Sequence, residues 1–327
     1  MTQEVSIGME ISTYIIRRYW KVKGLTGNIL RKIYPPIHMI IQEKESFIDG
    51  ISANIVTKDD IWLKESLYSI KDYVHEIVII DSSSAKYREK NNDIINELKK
   101  EIEVKYIWKD LNITEARNLA QSLSTRSYIL HWDGDMIAYT EGIESIERIF
   151  KMLSEFEYKK YYYEIFFLLI RMGYSLMTIT DKDTRYQREA WLYSNSKNMK
   201  WISKSVPLSL SVKKMDHPLF PIYYKKKIFN EPFGLHLHLI QPKEKLIVKA
   251  LYGLWMDPSI REKFNNYEEF YKIYSKKISN DLIFKVKEFR AENIKIPSLL
   301  REYQGKTYDE IMKIKSREYP WIDEGIK

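Results

Sequence analysis

Between Ile51 and Asp135, short β-branched runs alternate with stretches whose apolar residues recur every three or four positions. This is the pattern of βαβ units built around a parallel sheet. Ile51 to Val56 predicts a first strand, Leu63, Leu67 and Ile70 share one face of a helix, and Glu76 to Ile80 predicts a second, buried strand ending at Asp81. Ser82, Ser83 and Ser84 make a polar loop, a charged helix is expected around Asn91 to Lys100, and Val104 to Ile107 forms a third strand. A helix with Ile113, Ala116, Leu119, Ala120 and Leu123 on one face leads to a fourth strand, Tyr128 to Trp132, which runs into Asp133-Gly134-Asp135. Asn112 stands where a helix cap belongs, so Asn112-Ile113-Thr114 reads as a cap rather than a glycosylation acceptor.

Aromatic and aliphatic runs from Tyr161 to Tyr193 predict further strands of a mixed sheet, with a turn at Gly173. Ile165 to Ile170, the most apolar run, is bounded by Glu164 and Arg171 and falls far short of the ~20 residues that cross a bilayer. It reads as a buried strand or short core helix. Helical patterns return from Lys243 to Leu254 and dominate after Tyr267.

The 327 residues are 44% hydrophobic and 30% charged, as in a folded globular chain of one large domain or two. Cysteine is absent, which excludes disulfides, thiol nucleophiles and thiolate metal sites and leaves oxygen and imidazole as metal ligands. Neither a G-x-x-x-x-G-K loop nor G-x-G-x-x-G occurs, so nucleotide-triphosphate hydrolase and dinucleotide dehydrogenase readings lose their main support. A net charge of +8 favours an anionic partner: a nucleotide, a nucleic acid or an acidic membrane surface. The N-terminus lacks a secretory leader pattern, so a cytoplasmic location is expected. Before the first strand, Arg17, Arg18, Lys21, Lys23, Arg31 and Lys32 are interleaved with Tyr14, Tyr19, Trp20 and Tyr34. This arm suits peripheral contact with anionic lipid, and its Ile15, Ile16, Leu25, Ile29 and Leu30 equally suit packing against the rest of the chain.

In open α/β sheets ligands collect beyond the carboxyl ends of the strands. Here the first, second and fourth strands end in Lys58-Asp59, Asp81 and Asp133-Gly134-Asp135. Two carboxylates flanking a glycine can contact a ribose hydroxyl and a divalent cation; the same tripeptide also makes an acidic β-turn. His236 and His238, two apart, would face the same way on a strand, as metal or phosphate ligands or as hydrogen-bonded structural residues.

Taken in order, Ile51 to Asp59, Leu67 to Ile70, Glu76 to Ser84, Glu115-Ala116-Arg117-Asn118-Leu119-Ala120 and Tyr128 to Asp135 resemble the nucleotide-binding half of family 2 glycosyltransferases. The loop after Asp81 departs from that family in carrying serines where further Gly or Asp is usual. The resemblance implies a GT-A fold, an α/β, Rossmann-like mixed sheet flanked by helices, with a helical C-terminal region. Residues 1–48 are then a basic, aromatic extension, 49–255 the catalytic domain, divided into a nucleotide-binding half (49–140) and an acceptor half (141–255), and 256–327 the helical region. It implies that Asn54, Thr57 and Asp81 lie near the base and ribose, that Arg117 faces the diphosphate or base, and that Asp133 reaches the ribose or sugar. Asp135 binds a divalent metal, Mn²⁺ or Mg²⁺, in this reading, with one of His236 and His238 completing the shell.

Arg188 to Tyr193 and Trp201 look similar to a later family segment, but Lys204-Ser205-Val206-Pro207 stands where its acidic pair belongs. The candidate general base is therefore Asp216, in a polar, Pro-bounded loop, with Glu189 and Glu231 as alternatives. The expected function is metal-dependent, inverting, hexosyltransferase-like transfer from a UDP- or GDP-sugar to a glycan, lipid or protein acceptor. The rivals are a sugar nucleotidyltransferase, disfavoured because Thr57-Lys58-Asp59-Asp60 lacks a glycine-rich phosphate loop, and a non-enzymatic basic protein that binds nucleic acid or a membrane surface, which leaves Asp133 and Asp135 without a role.

Overall fold

The structure, a computed structural model, describes residues 47–141, 145–147, 163–180, 188–197, 199–208, 211–219, 225–255, 258–276, 284 and 286–322. The basic and aromatic arm lies outside them. Strands β1 (Ile48–Thr57), β2 (Glu76–Asp81), β3 (Glu103–Trp108) and β4 (Arg126–Asp133) alternate with helices α1 (Leu63–Ile70), α2 (Ala85–Leu98) and α3 (Ile113–Leu123), as the periodicity predicts. Helix α2 begins earlier than its charged segment suggests, at Ala85, directly after the serine loop. The Asn112 cap is present: its side chain accepts from the Glu115 amide while the Glu115 carboxylate reaches back to the Asn112 amide.

Strands β5 (Met136–Ala138), β6 (Tyr163–Arg171), β7 (Thr178–Ile179), β8 (Arg188–Ser194), β9 (Lys200–Leu208), β10 (Ser211–Leu219) and β11 (Lys225–His236) follow. The main sheet runs β3-β2-β1-β4-β8-β6-β11-β5. β1 to β4 are mutually parallel, whereas β8 is antiparallel to β4 and β6, and β5 is antiparallel to β11. The sheet is thus mixed and flanked by helices. β9 and β10 form a separate ribbon.

Every residue of β2 is buried, as in a parallel strand covered on both faces. One face packs Ile77 and Ile79 with Leu63, Leu67, Leu130 and Phe167, and the other packs Val78 and Ile80 against the small Ala116 and Ala120 of α3. Glu76, at the foot of β2, is buried yet satisfied: its carboxylate accepts from the Ser52 hydroxyl, from Lys105 Nζ at 2.8 Å, and from the Thr125 amide and hydroxyl at 2.6 and 2.8 Å.

After β11 come α4 (Lys243–Trp255) and, in the C-terminal region, α5 (Pro258–Arg261), α6 (Tyr267–Tyr274) and α7 (Tyr308–Lys315), interrupted by β12 (Phe289–Arg290), which pairs with β7. The last part of that region closes over the β1–α1 connection. Ile61 and Trp62 share a core with Leu300, Tyr303, Ile311 and Tyr319, and the buried Lys315 ammonium pairs with Glu65 while lying 4.4 Å over the Trp62 ring.

Candidate active site

The order β2-β1-β4 makes the gap between β1 and β4 the point where chain connections diverge to opposite sides, and the loops there frame the crevice. After β1, Asp59 adopts a left-handed φ of 53°. It is held by the Ser83 hydroxyl, which accepts from its amide at 2.8 Å, and by the Ser84 amide and hydroxyl, which donate to its carboxylate at 2.9 and 2.8 Å. The serines after Asp81 therefore lock the neighbouring loop. Asp60 turns back to accept from the Thr57 hydroxyl at 2.9 Å and pairs with Lys245. Gly134, after β4, sits against this turn: a Cβ there would lie 2.8 Å from Asp60 Oδ2 and 2.9 Å from Thr57 Oγ1. A larger residue there would force the hydrogen-bonded Asp60 or Thr57 side chain to shift.

Asp133 and Asp135 occupy different surroundings. Asp133 is 27% exposed, with Arg117 Nη2 at 4.0 Å and His131 Nε2 at 3.7 Å from its Oδ1. Burial raises its carboxyl to about 6, against the opposing charge of Arg117. Burial, reinforced by Arg117, holds His131 well below the ordinary imidazole range, so it is neutral and its proximity to Asp133 is not an ion pair. Arg117 lies 4.6 Å over the Trp201 ring, and Trp201 stacks on Trp191 with 5.6 Å between centroids.

Burial alone would also raise Asp135, but His236, by charge and hydrogen bond, and the ammonium groups of Lys249 and Lys245 hold it well below the usual carboxylate range. His236 Nε2 is 3.1 Å from Asp135 Oδ1, and Gln241 Nε2 donates to Oδ2 at 3.3 Å. Strand register creates this contact, since β5 and β11 pair Met136 with His236 and the Leu237 amide donates to the Asp135 carbonyl at 2.8 Å. β11 ends at His236, so His238 lies in the following turn rather than on a common strand. The two rings nevertheless stand 4.9 Å apart.

Among the described residues no group of three or more His, Asp or Glu side chains could hold a metal. Asp135 and His236 do suit two positions on one ion. Their 3.1 Å separation matches adjacent ligands of an octahedral cation with bonds of about 2.1 Å, and oxygen with imidazole suits Mn²⁺ and tolerates Mg²⁺. Such ions commonly take one or two protein ligands and complete their shell with water and phosphate.

The structure brings Thr57, Arg117, Asp133, Asp135, His236 and His238 to one end of the sheet. Asn54 and Asp81 are turned inward. Asn54 accepts from the Ser124 hydroxyl at 2.7 Å. Asp81 is fully buried and accepts from the Ser83 amide at 2.8 Å and from Asn91 Nδ2 and the Tyr106 hydroxyl, both at 2.9 Å. Asp216 is not in a loop as its Pro-bounded sequence suggests: it lies within β10, opposite Ser203 of β9. Glu189 lies in β8, and the side chains of Asp216 and Glu189 fall outside those described. Glu231 is exposed on β11 where the register with β6 shifts. Asp60, Gln241, Lys245 and Lys249 belong to the crevice without having been singled out by sequence. The one available signal was the four-residue spacing of Lys245 and Lys249 directly after the histidine pair.

No family model and no curated protein matches the sequence. Solved structures similar to it include S. aureus TarS 1–349, at 12% identity and a TM-score of 0.39 over 73% of this chain and 76% of that one. Another is the mannosyltransferase PcManGT from Pyrobaculum calidifontis in complex with GDP-Man and Mn²⁺, at 10% identity and 0.32 over 52% and 55%. A third is 4-diphosphocytidyl-2C-methyl-D-erythritol synthase from Anaerococcus prevotii, at 13% identity and 0.28 over 45% and 70%.

Proposed function

We propose that this protein is a GT-A glycosyltransferase that moves a sugar from a UDP- or GDP-sugar to an acceptor hydroxyl. One observation carries the reading: Asp133-Gly134-Asp135 ends a buried parallel strand at the sheet's divergence point, with Arg117, His236 and Lys249 gathered around its carboxylates. A nucleoside diphosphate bound there as a leaving group needs positive charge around its phosphates and a hydrogen-bond acceptor for a ribose or sugar hydroxyl.

In this reading Asp133 accepts from that hydroxyl, with Arg117 behind it keeping part of its charge compensated. Asp135 and His236 hold the divalent ion, which when bound supplies Lewis-acid charge to the departing diphosphate. The acceptor oxygen attacks the anomeric carbon opposite the diphosphate, the bond from that carbon to the phosphate oxygen breaks, and its electron pair leaves with the nucleoside diphosphate. The configuration inverts. A carboxylate takes the acceptor proton. Asp216 is the proposed base, with Glu189 and Glu231 as alternatives, and loss of transfer with retained donor binding in Asp216→Asn is the expected sign.

Among the described residues no helix is long and apolar enough to cross a membrane. The arm of residues 14–34 is proposed to meet anionic lipid, where a lipid-linked acceptor could be presented. Its sedimentation with anionic but not neutral vesicles at low salt, reversed by high salt, is the expected result.

The decisive experiment incubates the protein with a panel of nucleotide sugars and Mn²⁺ and identifies the products. Release of nucleoside diphosphate, abolished in a folded Asp135→Ala variant, supports the reading. Formation of a nucleotide sugar from a sugar phosphate and a nucleoside triphosphate, with release of pyrophosphate, would identify a nucleotidyltransferase instead.

A further inference from the structure

Two lysines on one face of α4 reach the crevice, and they do different things. Lys245, 18% exposed, is consumed by the fold: it pairs with Asp60 and also donates to the Asp59 carbonyl at 3.3 Å, pinning the turn after β1. Lys249, one helical turn further on, is 40% exposed. Its ammonium donates to the His238 carbonyl at 2.8 Å and stands 3.9 Å from Asp135 Oδ2, beyond hydrogen-bond length. An ammonium carries three donors, and this one is steadied by a backbone carbonyl at the mouth of the site.

The two oxygens of Asp135 are addressed from different directions. Oδ1 faces His236, while Oδ2 faces Gln241 and Lys249. The pair suited to a metal is therefore Oδ1 with His236 Nε2, and Lys249 lies on the other flank of the same carboxylate. It cannot itself be a metal ligand while protonated, so it adds a second cation beside the acidic turn; burial lowers its ammonium from the ordinary lysine range, and the Asp135 carboxylate opposes that shift.

We infer that Lys249 binds the diphosphate of the nucleotide directly, as a chain-borne cation that acts with or without a divalent ion. This rests on the glycosyltransferase reading above. In this proposal the contact is with the phosphate furthest from the nucleoside, by which Lys249 discriminates nucleoside diphosphate from monophosphate and later stabilises the charge that develops on the leaving group.

Calorimetry with UDP, UMP, GDP and GMP, each in EDTA and in Mn²⁺, tests this on the wild-type protein and on Lys249→Gln and Lys249→Arg. The wild type should prefer one diphosphate over its monophosphate even in EDTA. Lys249→Gln should lower that preference by about tenfold or more, as for a lost charge-assisted hydrogen bond, leave monophosphate affinity unchanged and melt with the wild type. Lys249→Arg should restore most of the preference. An unchanged preference in folded Lys249→Gln overturns the assignment of Lys249 while leaving the nucleotide site standing. Failure of the folded wild type to bind either UDP or GDP in Mn²⁺ overturns the functional reading and this inference with it. If Lys249→Gln does not fold, the Arg variant decides, since a diphosphate preference lost there together with monophosphate affinity marks a structural lysine.

Discussion

Asn118 grips the backbone of Trp201 at both polar groups: its side-chain amide donates to the Trp201 carbonyl at 2.9 Å, and its own carbonyl accepts from the Trp201 amide at 2.8 Å. Helix α3 thus carries Arg117 and, one residue on, the clamp that holds the indole beneath the guanidinium. Replacing Asn118 with Ala should cost about 1–3 kcal/mol, the worth of two partly buried hydrogen bonds. It should also weaken UDP or GDP binding, because Arg117 loses its platform. Urea denaturation and calorimetry on the same variant check both effects; wild-type stability would sink the clamp.

His236 and His238 should separate under mutation. His236 touches Asp135 directly, whereas His238 accepts from Lys249 through its backbone carbonyl, which any residue supplies. His236→Ala should raise the Mn²⁺ concentration needed for half-maximal nucleotide binding about tenfold or more, in the range of losing one metal ligand or its support. His238→Ala should shift it less. Equal titrations for both variants would remove His236 from the metal pair.

Asp81 and Arg117 should fail in different ways. The Asp81 carboxylate ties Asn91 of α2, Tyr106 of β3 and the Ser83 amide together, and burial with the nearby carboxylate raises the Tyr106 hydroxyl well above its usual range, which keeps it the donor in that bond. Asp81→Ala should lower stability by about 2 kcal/mol or more through the buried donors it leaves unpaired. Arg117→Gln should chiefly weaken UDP or GDP binding, by about 1.5–3 kcal/mol. Denaturation midpoints and nucleotide affinities measured on both variants would show the division, and a stable Asp81→Ala that cannot bind nucleotide would reverse the assignment.

Glu76 supplies a pH test. Burial pushes its carboxyl up, but the hydrogen bonds from Lys105, Ser52 and Thr125 outweigh this and leave it lowered from the ordinary 4.5. A carboxyl lowered on folding stabilises the fold fully above the unfolded-state value, and that contribution is lost as pH falls through the folded-state value. Glu76→Gln should therefore be less stable than wild type at pH 7, and the difference should shrink as the pH drops below about 4.5. A gap that stays constant across that range would show that the charge at Glu76 contributes nothing.

What the sequence determined by itself is what neighbours along the chain decide. Period-two and near-four spacing marks the face each segment buries, so β1 to β4, α1 and α3 were legible, and the Asn112 cap needs only Glu115 three residues on. The same local reading put Asp133 and Asp135 just past a buried strand. The start of α2 was missed because Ser84, a plausible cap, spends its hydroxyl on Asp59, a residue far away in sequence.

Everything that depends on which strand lies beside which was left to the tertiary structure. The pairing of β5 with β11 brings His236 to Asp135, and the packing of α4 adds Lys245 and Lys249, whose four-residue spacing after the histidine pair does not by itself say what they face. Asp216 looked like a loop residue because Pro and polar side chains surround it, yet its backbone is paired by β9 across a ribbon. Asp81 occupies the predicted strand end, but Tyr106 and Asn91, contributed by β3 and α2, determine that its carboxylate points inward. The physical reason is common to all four: periodicity reports how much of a segment is buried, whereas the partner that satisfies a buried polar group comes from elsewhere in the chain and is chosen only when the sheet closes.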